Sequence, residues 1–411
     1  MKITKLMLSA FVAAAALVSC NKENHSPEID NDLKTINLSI GNMIMTKGLA
    51  GDKINPGDVV QVNDFQVFLT EASGTHLYND DVMTLNGDSF VPATFYWDGN
   101  QLKDATLFTY DYHFVSPHCT RVIAVANAGK PLTLAQALEL SAEAAQQQDV
   151  SNLILFGEDV LEPKLVNGEP QIHQGTDNAG KTFYSEVYSA SPILTPTIAR
   201  FEVDGFSMNF NAGELVKVDI KDILFQNYHN NMTYAVPGTA KTTHIANLEA
   251  DADVYYWFTS HTDDNTATTW YRDSFTGLVL QKPASPTEGT NYVHRVDIKD
   301  GATKSPRAYH LFAPASCPDL VVNMVVTTKD PVSGAEHTTN AYVHTATFRT
   351  SDGNAITQIQ PGTIYRMSGR GETDGDGTID IDEDDLNSVD RCLDIIVSVK
   401  SWDVVLVTPE F

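Results

Sequence analysis

At 411 residues and a formal net charge of −26, the chain has room for two domains and repels phosphate backbones and anionic lipid headgroups, so nucleic acid is excluded as an expected partner. Its hydrophobic content of 42% is ordinary for a soluble globular protein. The run from Leu6 to Val18 is shorter than the roughly 20 apolar residues of a membrane span.

That run lies behind Lys2 and Lys5 and ends in Leu17-Val18-Ser19-Cys20, the pattern of a secretory signal cleaved at a cysteine. Residues 1–20 are therefore expected to be a lipoprotein signal. Cys20 is expected to become the lipidated amino terminus and to hold the chain at the bacterial cell envelope. Asn21 to Asp32 is polar and reads as a tether. Leu33 to Met45 follows, with Ile36, Leu38 and Ile40 at alternate positions, which predicts a strand with one buried face.

Short apolar segments broken by Gly, Pro, Asn and Asp then recur. Val60 to Leu69, Val122 to Ala126, Phe201 to Phe210, Leu215 to Phe225, Val254 to Phe258 and Val321 to Thr328 all read as strands. Strands at this spacing, without helical crossovers, predict antiparallel sandwiches. One helix is predicted from Thr133 to Gln148, with Leu134, Leu138, Ala142 and Ala145 on one face and Thr133 and Gln136 forming a capping box. Pro192 and Pro196 mark a boundary. The expected fold is all-β with one or two short helices, as two tandem antiparallel sandwiches of transthyretin-like or Greek-key type. They would span 48–195 and 196–411, after a signal over 1–20 and a tether and first strand over 21–47.

Catalytic signatures are missing from the sequence: it contains no GxSxG, no HExxH, no phosphate-cradling glycine loop and no CxxC. No enzymatic activity is expected. His113, His118 and Cys119 lack the second ligand pair of a zinc site. The acidic loop from Glu372 to Glu383 carries more weight. Glu372, Asp374, Asp376, Thr378, Asp380 and Glu383 follow a calcium-loop spacing around Gly377, with Glu in place of the usual first Asp and without flanking helices. Bound Ca²⁺ and a solvated hairpin tip are the two readings. Cys119, Cys317 and Cys392 remain after Cys20, so at most one disulfide forms within the chain, with Cys317 and Cys392 as the candidate pair because each precedes a strand.

Three places together resemble a known family. Arg121 to Gly129 with the helix after it resembles the amino-terminal domain of fimbrillins, the type V pilins of Bacteroidales. The tail from Arg391 to Phe411 is similar to their carboxyl-terminal end, most of all that of the minor-fimbria shaft subunit. Thr46-Lys47-Gly48 sits where such precursors carry a trypsin-like processing site. The family residue there is Arg, so Lys47 departs from the pattern and leaves the protease unassigned.

The resemblance implies a subunit exported as an outer-membrane lipoprotein, cut between Lys47 and Gly48 and polymerised with copies of itself and accessory tip and anchor subunits into surface fimbriae for adhesion. The donor strand would lie within 400–411, where Trp402, Val404 and Leu406 alternate with Val405, Val407 and Pro409 and both faces are apolar. An anchor or tip subunit is the alternative within the family. Outside it, the alternative is a surface lipoprotein that binds glycan or another ligand through Trp257, Trp270 and Tyr271.

Overall fold

The computed structural model describes residues 33–40, 43–44, 59–98, 109–143, 147, 149, 153–211, 213–226, 228–233, 240–244, 272–283, 292–368, 377–382, 386, 392–401 and 403–406. The fold is built of strands with very little helix. Two main sheets occupy the amino-terminal half, beside the two-stranded pair Leu165–Val166 and Glu169–Pro170. The larger runs in the order Glu162–Pro163, Thr182–Ala190, Lys34–Ser39, Thr109–Val115, Met83–Asn86 and Ser89–Pro92, with Ile172–Thr176 also paired to Thr182–Ala190. The smaller runs Thr195–Pro196, Leu155–Val160, Arg121–Ala126, Phe65–Thr70, Tyr96–Trp97. Phe65–Thr70 is buried at every position, its polar members Gln66 and Thr70 satisfied by hydrogen bonds to the backbone of Leu132 and His76.

The carboxyl-terminal half carries a nine-stranded sheet. Its order is Arg272–Gln281, Leu215–Gln226, Asp319–Lys329, Glu336–Thr350, Cys392–Ser401, Thr363–Ser368, Ile198–Val203, Arg307–Phe312, with Ala355–Ile356 beside Glu336–Thr350. A three-stranded sheet of Tyr292–Asp297, Gly205–Phe210 and Thr378–Asp382 accompanies it. The sheet built on Arg121–Ala126 is antiparallel throughout, but the larger amino-terminal sheet, the nine-stranded sheet and the three-stranded sheet are mixed, which corrects the expectation of purely antiparallel sheets. Lys34–Ser39 runs parallel to Thr182–Ala190, Ile198–Val203 to Thr363–Ser368, Gly205–Phe210 to Thr378–Asp382, and Glu336–Thr350 to Cys392–Ser401. Such pairings join segments far apart in the chain, where no local turn signal announces them.

Two predicted strands are broken by an aspartate with work of its own. Val60 to Leu69 splits into Val59–Val62 and Phe65–Thr70 because Asp64 turns its carboxylate to the amides of Ala128 and Gly129, 3.0 and 2.9 Å away. Phe201 to Phe210 splits at Asp204, where the chain leaves the nine-stranded sheet for the three-stranded one. The Asp204 amide donates to the Gly377 carbonyl at 2.6 Å, and its carboxylate meets Arg366 at 2.7 Å and Lys304 at 3.0 Å. Gly377 has φ +80°, and a Cβ there would lie 2.2 Å from the Asp204 carboxyl carbon, so only glycine fits.

The helix is shorter than its pattern. Its capping box forms as expected between Thr133 and Gln136, but the helix spans only Leu134–Leu138. Ser141–Glu143 then pairs with Tyr228–Thr233, so an open strand edge takes the backbone bonds that further helical turns would have used. This pairing also ties the two halves together. His310 adds a second tie: its ring lies 2.7 Å from the Gln147 carbonyl through Nδ1 and 3.0 Å from the Arg200 guanidinium through Nε2. Burial pushes the His310 imidazole down to about 3, with the Arg200 charge acting in the same direction, so the ring stays neutral. The buried apolar side chains of both halves form one continuous cluster. No helix among the described residues is long and apolar enough to cross a membrane.

Candidate functional site

The site of interest is the first strand, Lys34–Ser39, and its bed. It occupies the middle of the larger amino-terminal sheet, with Thr109–Val115 on one side and Thr182–Ala190 on the other. Ile36 and Leu38 are 0% exposed and the following Ile40 is 6% exposed, so the alternation read from sequence places these three side chains in the core. Full burial of such a side chain contributes roughly 1.5–3 kcal/mol. The strand therefore contributes three side chains to the first half's interior and is tied to the rest of the protein by neighbours on both edges.

Lys34 opens the strand in the same alternation as Ile36 and Leu38, while Thr35 and Asn37 give the other face its polar contacts. The Lys34 ammonium donates to the Cys119 carbonyl at 2.9 Å and lies 4.3 Å over the Tyr188 ring. Burial lowers its pKa, with the Cys119 thiol and the Glu186 carboxylate acting in the opposite direction. The Thr35 hydroxyl sits 3.2 Å from His113 Nδ1 and 2.7 Å from the Ser185 hydroxyl, bridging the two flanking strands. Asn37 donates to the Asp111 carboxylate and accepts from Lys164 at 3.0 Å.

Behind Thr35, His113 packs on His173 with ring centroids 4.5 Å apart, among Phe90, Phe114 and Phe183. Burial lowers the pKa of both imidazoles, His113 to about 4, and for His113 the neighbouring His173 adds to the effect while Asp111 opposes it. Sequence reasoning marked His113 for a different reason and missed His173, which comes from the far side of the sheet. A lone histidine in a strand leaves no local signal.

The tail lies on its own chain. Asp403–Leu406, which holds Val404, Val405 and Leu406, runs parallel between Met43–Ile44 and Val59–Val62. Val404 stands opposite Met43 on one side and Val60 on the other. Trp402 and Val407, the lipidation residue Cys20 and the processing pair Lys47 and Gly48 fall outside the described residues. So do Trp257, Trp270 and Tyr271.

The metal candidates separate. His118 is exposed and Cys119 is buried with its Sγ 3.8 Å from the Arg121 carbonyl, while His113 is engaged with Thr35, so no zinc set forms. Of the calcium-loop residues, Glu372, Asp374, Asp376 and Glu383 lie outside the described residues. Thr378 and Asp380 sit on one face of the Thr378–Asp382 strand, paired in parallel with Gly205–Phe210. Among the described residues no group of three or more His, Cys, Asp or Glu side chains is arranged to hold a metal.

The pairing of Cys317 with Cys392 is not formed. Cys317 is a free thiol whose Sγ donates to the Ile356 carbonyl at 3.0 Å, and Cys392 stands opposite His344 in the nine-stranded sheet. Cys119 is free as well, and burial pushes both thiols up to about 11. At that pKa only about one thiol in a thousand is thiolate at pH 8. Neither is expected to react with iodoacetamide in the native chain, and both are expected to react fully in urea, as peptide mapping by mass spectrometry would read.

No protein-family model matches the chain, and no curated protein matches it. Among solved structures, a protein named for cell adhesion from Parabacteroides distasonis ATCC 8503 aligns over 91% of this chain and 98% of its own, at 14% identity and a TM-score of 0.44. A fimbrilin from Porphyromonas gingivalis W83 aligns over 91% and 98%, at 12% identity and a TM-score of 0.40. A protein named for cell adhesion from Bacteroides eggerthii DSM 20697 aligns over 94% and 100%, at 14% identity and a TM-score of 0.40. At such low identity and loose overlap these likenesses carry no argument about function.

Proposed function

We propose that the chain is a structural, non-catalytic subunit of a surface fimbrium, a shaft-type pilin that polymerises by exchanging strands. It would be exported as a lipoprotein anchored to the outer membrane through Cys20, cut between Lys47 and Gly48, and assembled with copies of itself and with tip and anchor subunits. Two sandwiches meeting near Pro196 form its body in this reading. Calcium in the acidic loop over 372–383, if bound, would stiffen a connection between strands.

The observation that carries the reading is the position of Lys34–Ser39 between two paired neighbours with Ile36, Leu38 and Ile40 in the core. A cut after Lys47 frees this strand from the remainder of the chain. Its departure exposes apolar core and leaves unpaired amides and carbonyls on Thr109–Val115 and Thr182–Ala190, a surface that a foreign strand can satisfy. The same cut detaches Met43–Ile44, one of the two neighbours of the tail strand. One proteolytic event thereby opens the slot and loosens the segment that fills a neighbour's slot. Repetition head to tail gives an open filament.

The pairing of Asp403–Leu406 with its own chain also suits a second reading, a self-contained surface lipoprotein that binds a ligand. Treatment of purified precursor with trypsin under native conditions separates the two. The pilin reading expects SDS-resistant multimers whose chains begin at Gly48. A cut chain that stays monomeric selects the second reading.

A further inference from the structure

The polar face of the first strand contains an arrangement that strand exchange does not by itself require. Thr35 is held from both sides, by His113 of Thr109–Val115 and by Ser185 of Thr182–Ala190. Behind it, His113 and His173 pack with ring centroids 4.5 Å apart and planes tilted by 41°, in a pocket walled by Phe90, Phe114 and Phe183. The Nε2 atoms of both rings are shut away from solvent without a hydrogen-bond partner. The charged groups nearby are few. Asp111 lies two residues along from His113 and is engaged by Asn37, which also takes Lys164, while Lys34 and Glu186 stand at the strand's beginning.

We propose that His113 and His173 form a proton-operated latch that holds the first strand in place while both rings are neutral and releases it when they take up protons. The inference rests on the reading of that strand as the removable one, and adds its regulation. A neutral His113 can accept the Thr35 hydroxyl at Nδ1. A protonated ring can still donate Nδ1–H to the Thr35 oxygen, which then donates to Ser185, but it places a full positive charge and an unpaired Nε2–H in a phenylalanine cage, where neither is solvated. Two imidazolium rings at this separation also repel each other, and Asp111, the carboxylate that acts on both, is already bonded to Asn37. Water reaches the pair when the strand covering it moves away, so protons favour the displaced state.

The sign follows from linkage. Folded-state pKa values depressed below the ordinary value of about 6.5 mean that the strand's hold is complete above that pH and weakens as pH falls toward the native value. For His113, with a native value of about 4, this amounts to roughly a 30-fold rise in strand opening between pH 7.5 and pH 5.0.

Hydrogen–deuterium exchange of the intact precursor, corrected for the intrinsic pH dependence of exchange, measures this directly. Protection of the peptide over 33–40 is expected to fall about 30-fold from pH 7.5 to pH 5.0, while Asp319–Lys329 stays unchanged. A chain carrying His113→Gln and His173→Gln is expected to lose the dependence. A flat wild-type profile, or an equal fall in the double variant, overturns the latch. Should the double variant not fold, the wild-type ring signals decide by NMR, since a His113 that titrates near 6.5 is equally fatal. Assembly after trypsin is read at pH 7.5, where the latch is shut in every case, so failure of the latch and failure of the pilin reading give different results.

Discussion

A chain ending at Ser401 is expected to fold, to be cut at Lys47, and to form no fibre. The missing segment, 402–411, includes Asp403–Leu406, whose described contacts are backbone ladders to Val59–Val62 and Met43–Ile44. At about 0.5–1.5 kcal/mol net for each hydrogen bond, loss of these ladders destabilises the monomer by on the order of 2–4 kcal/mol. That is a loss a protein of ordinary stability survives. Assembly is different, because in the proposed filament the tail is the connection between one subunit and the next, and without it no connection remains. Circular dichroism would report the retained fold, and electron microscopy with SDS gels after trypsin would report the missing polymer. Fibres of normal length from the truncated chain would show that another surface joins the subunits.

Replacement of Leu38 by Asp is expected to cause the greatest loss of stability. Leu38 is fully buried and sits opposite Tyr110 and Ala190 on the flanking strands. A carboxylate there loses the leucine's burial and must be desolvated without a partner, an effect of about 3–5 kcal/mol or more. Leu38→Ala, which removes only contacts, is expected to destabilise by about 2–5 kcal/mol. Ser39→Asp, on an exposed neighbouring residue, should stay within about 0.5 kcal/mol of the parent. Urea denaturation followed by tryptophan fluorescence gives all three values. If Leu38→Asp unfolds at the parental urea concentration, the strand does not support the amino-terminal core and its removal opens nothing.

Much of the site was legible in the sequence, for a definite reason. Ile36, Leu38 and Ile40 alternate, and an alternating segment can bury itself only as a strand with one face inward, whatever its neighbours turn out to be. The neighbours were not legible. Thr182–Ala190 pairs with Lys34–Ser39 across about 150 residues of chain, and His113 and Ser185 reach Thr35, with His173 behind His113, from three separate segments. Periodicity describes a face and carries no information about which distant strand will cover it. The helix illustrates the opposite error. The pattern from Leu134 to Ala145 fits a helix, yet Ser141–Glu143 becomes a strand because Tyr228–Thr233 presents a free edge at that place.

The disulfide candidate fails on similar grounds. Cys317 lies just before Asp319–Lys329 and Cys392 opens Cys392–Ser401, but Glu336–Thr350 lies between those two strands in the sheet and keeps them from adjoining. By itself the sequence determined the class of fold, the inward side chains of the first strand and the capping of the short helix, because each follows from local spacing and local hydrogen bonding. Only the tertiary structure decided the mixed sheet order, the histidine pair behind Thr35 and the lodging of the tail beside Val59–Val62. Those depend on which remote backbone edges meet, and burial of the whole core settles that choice.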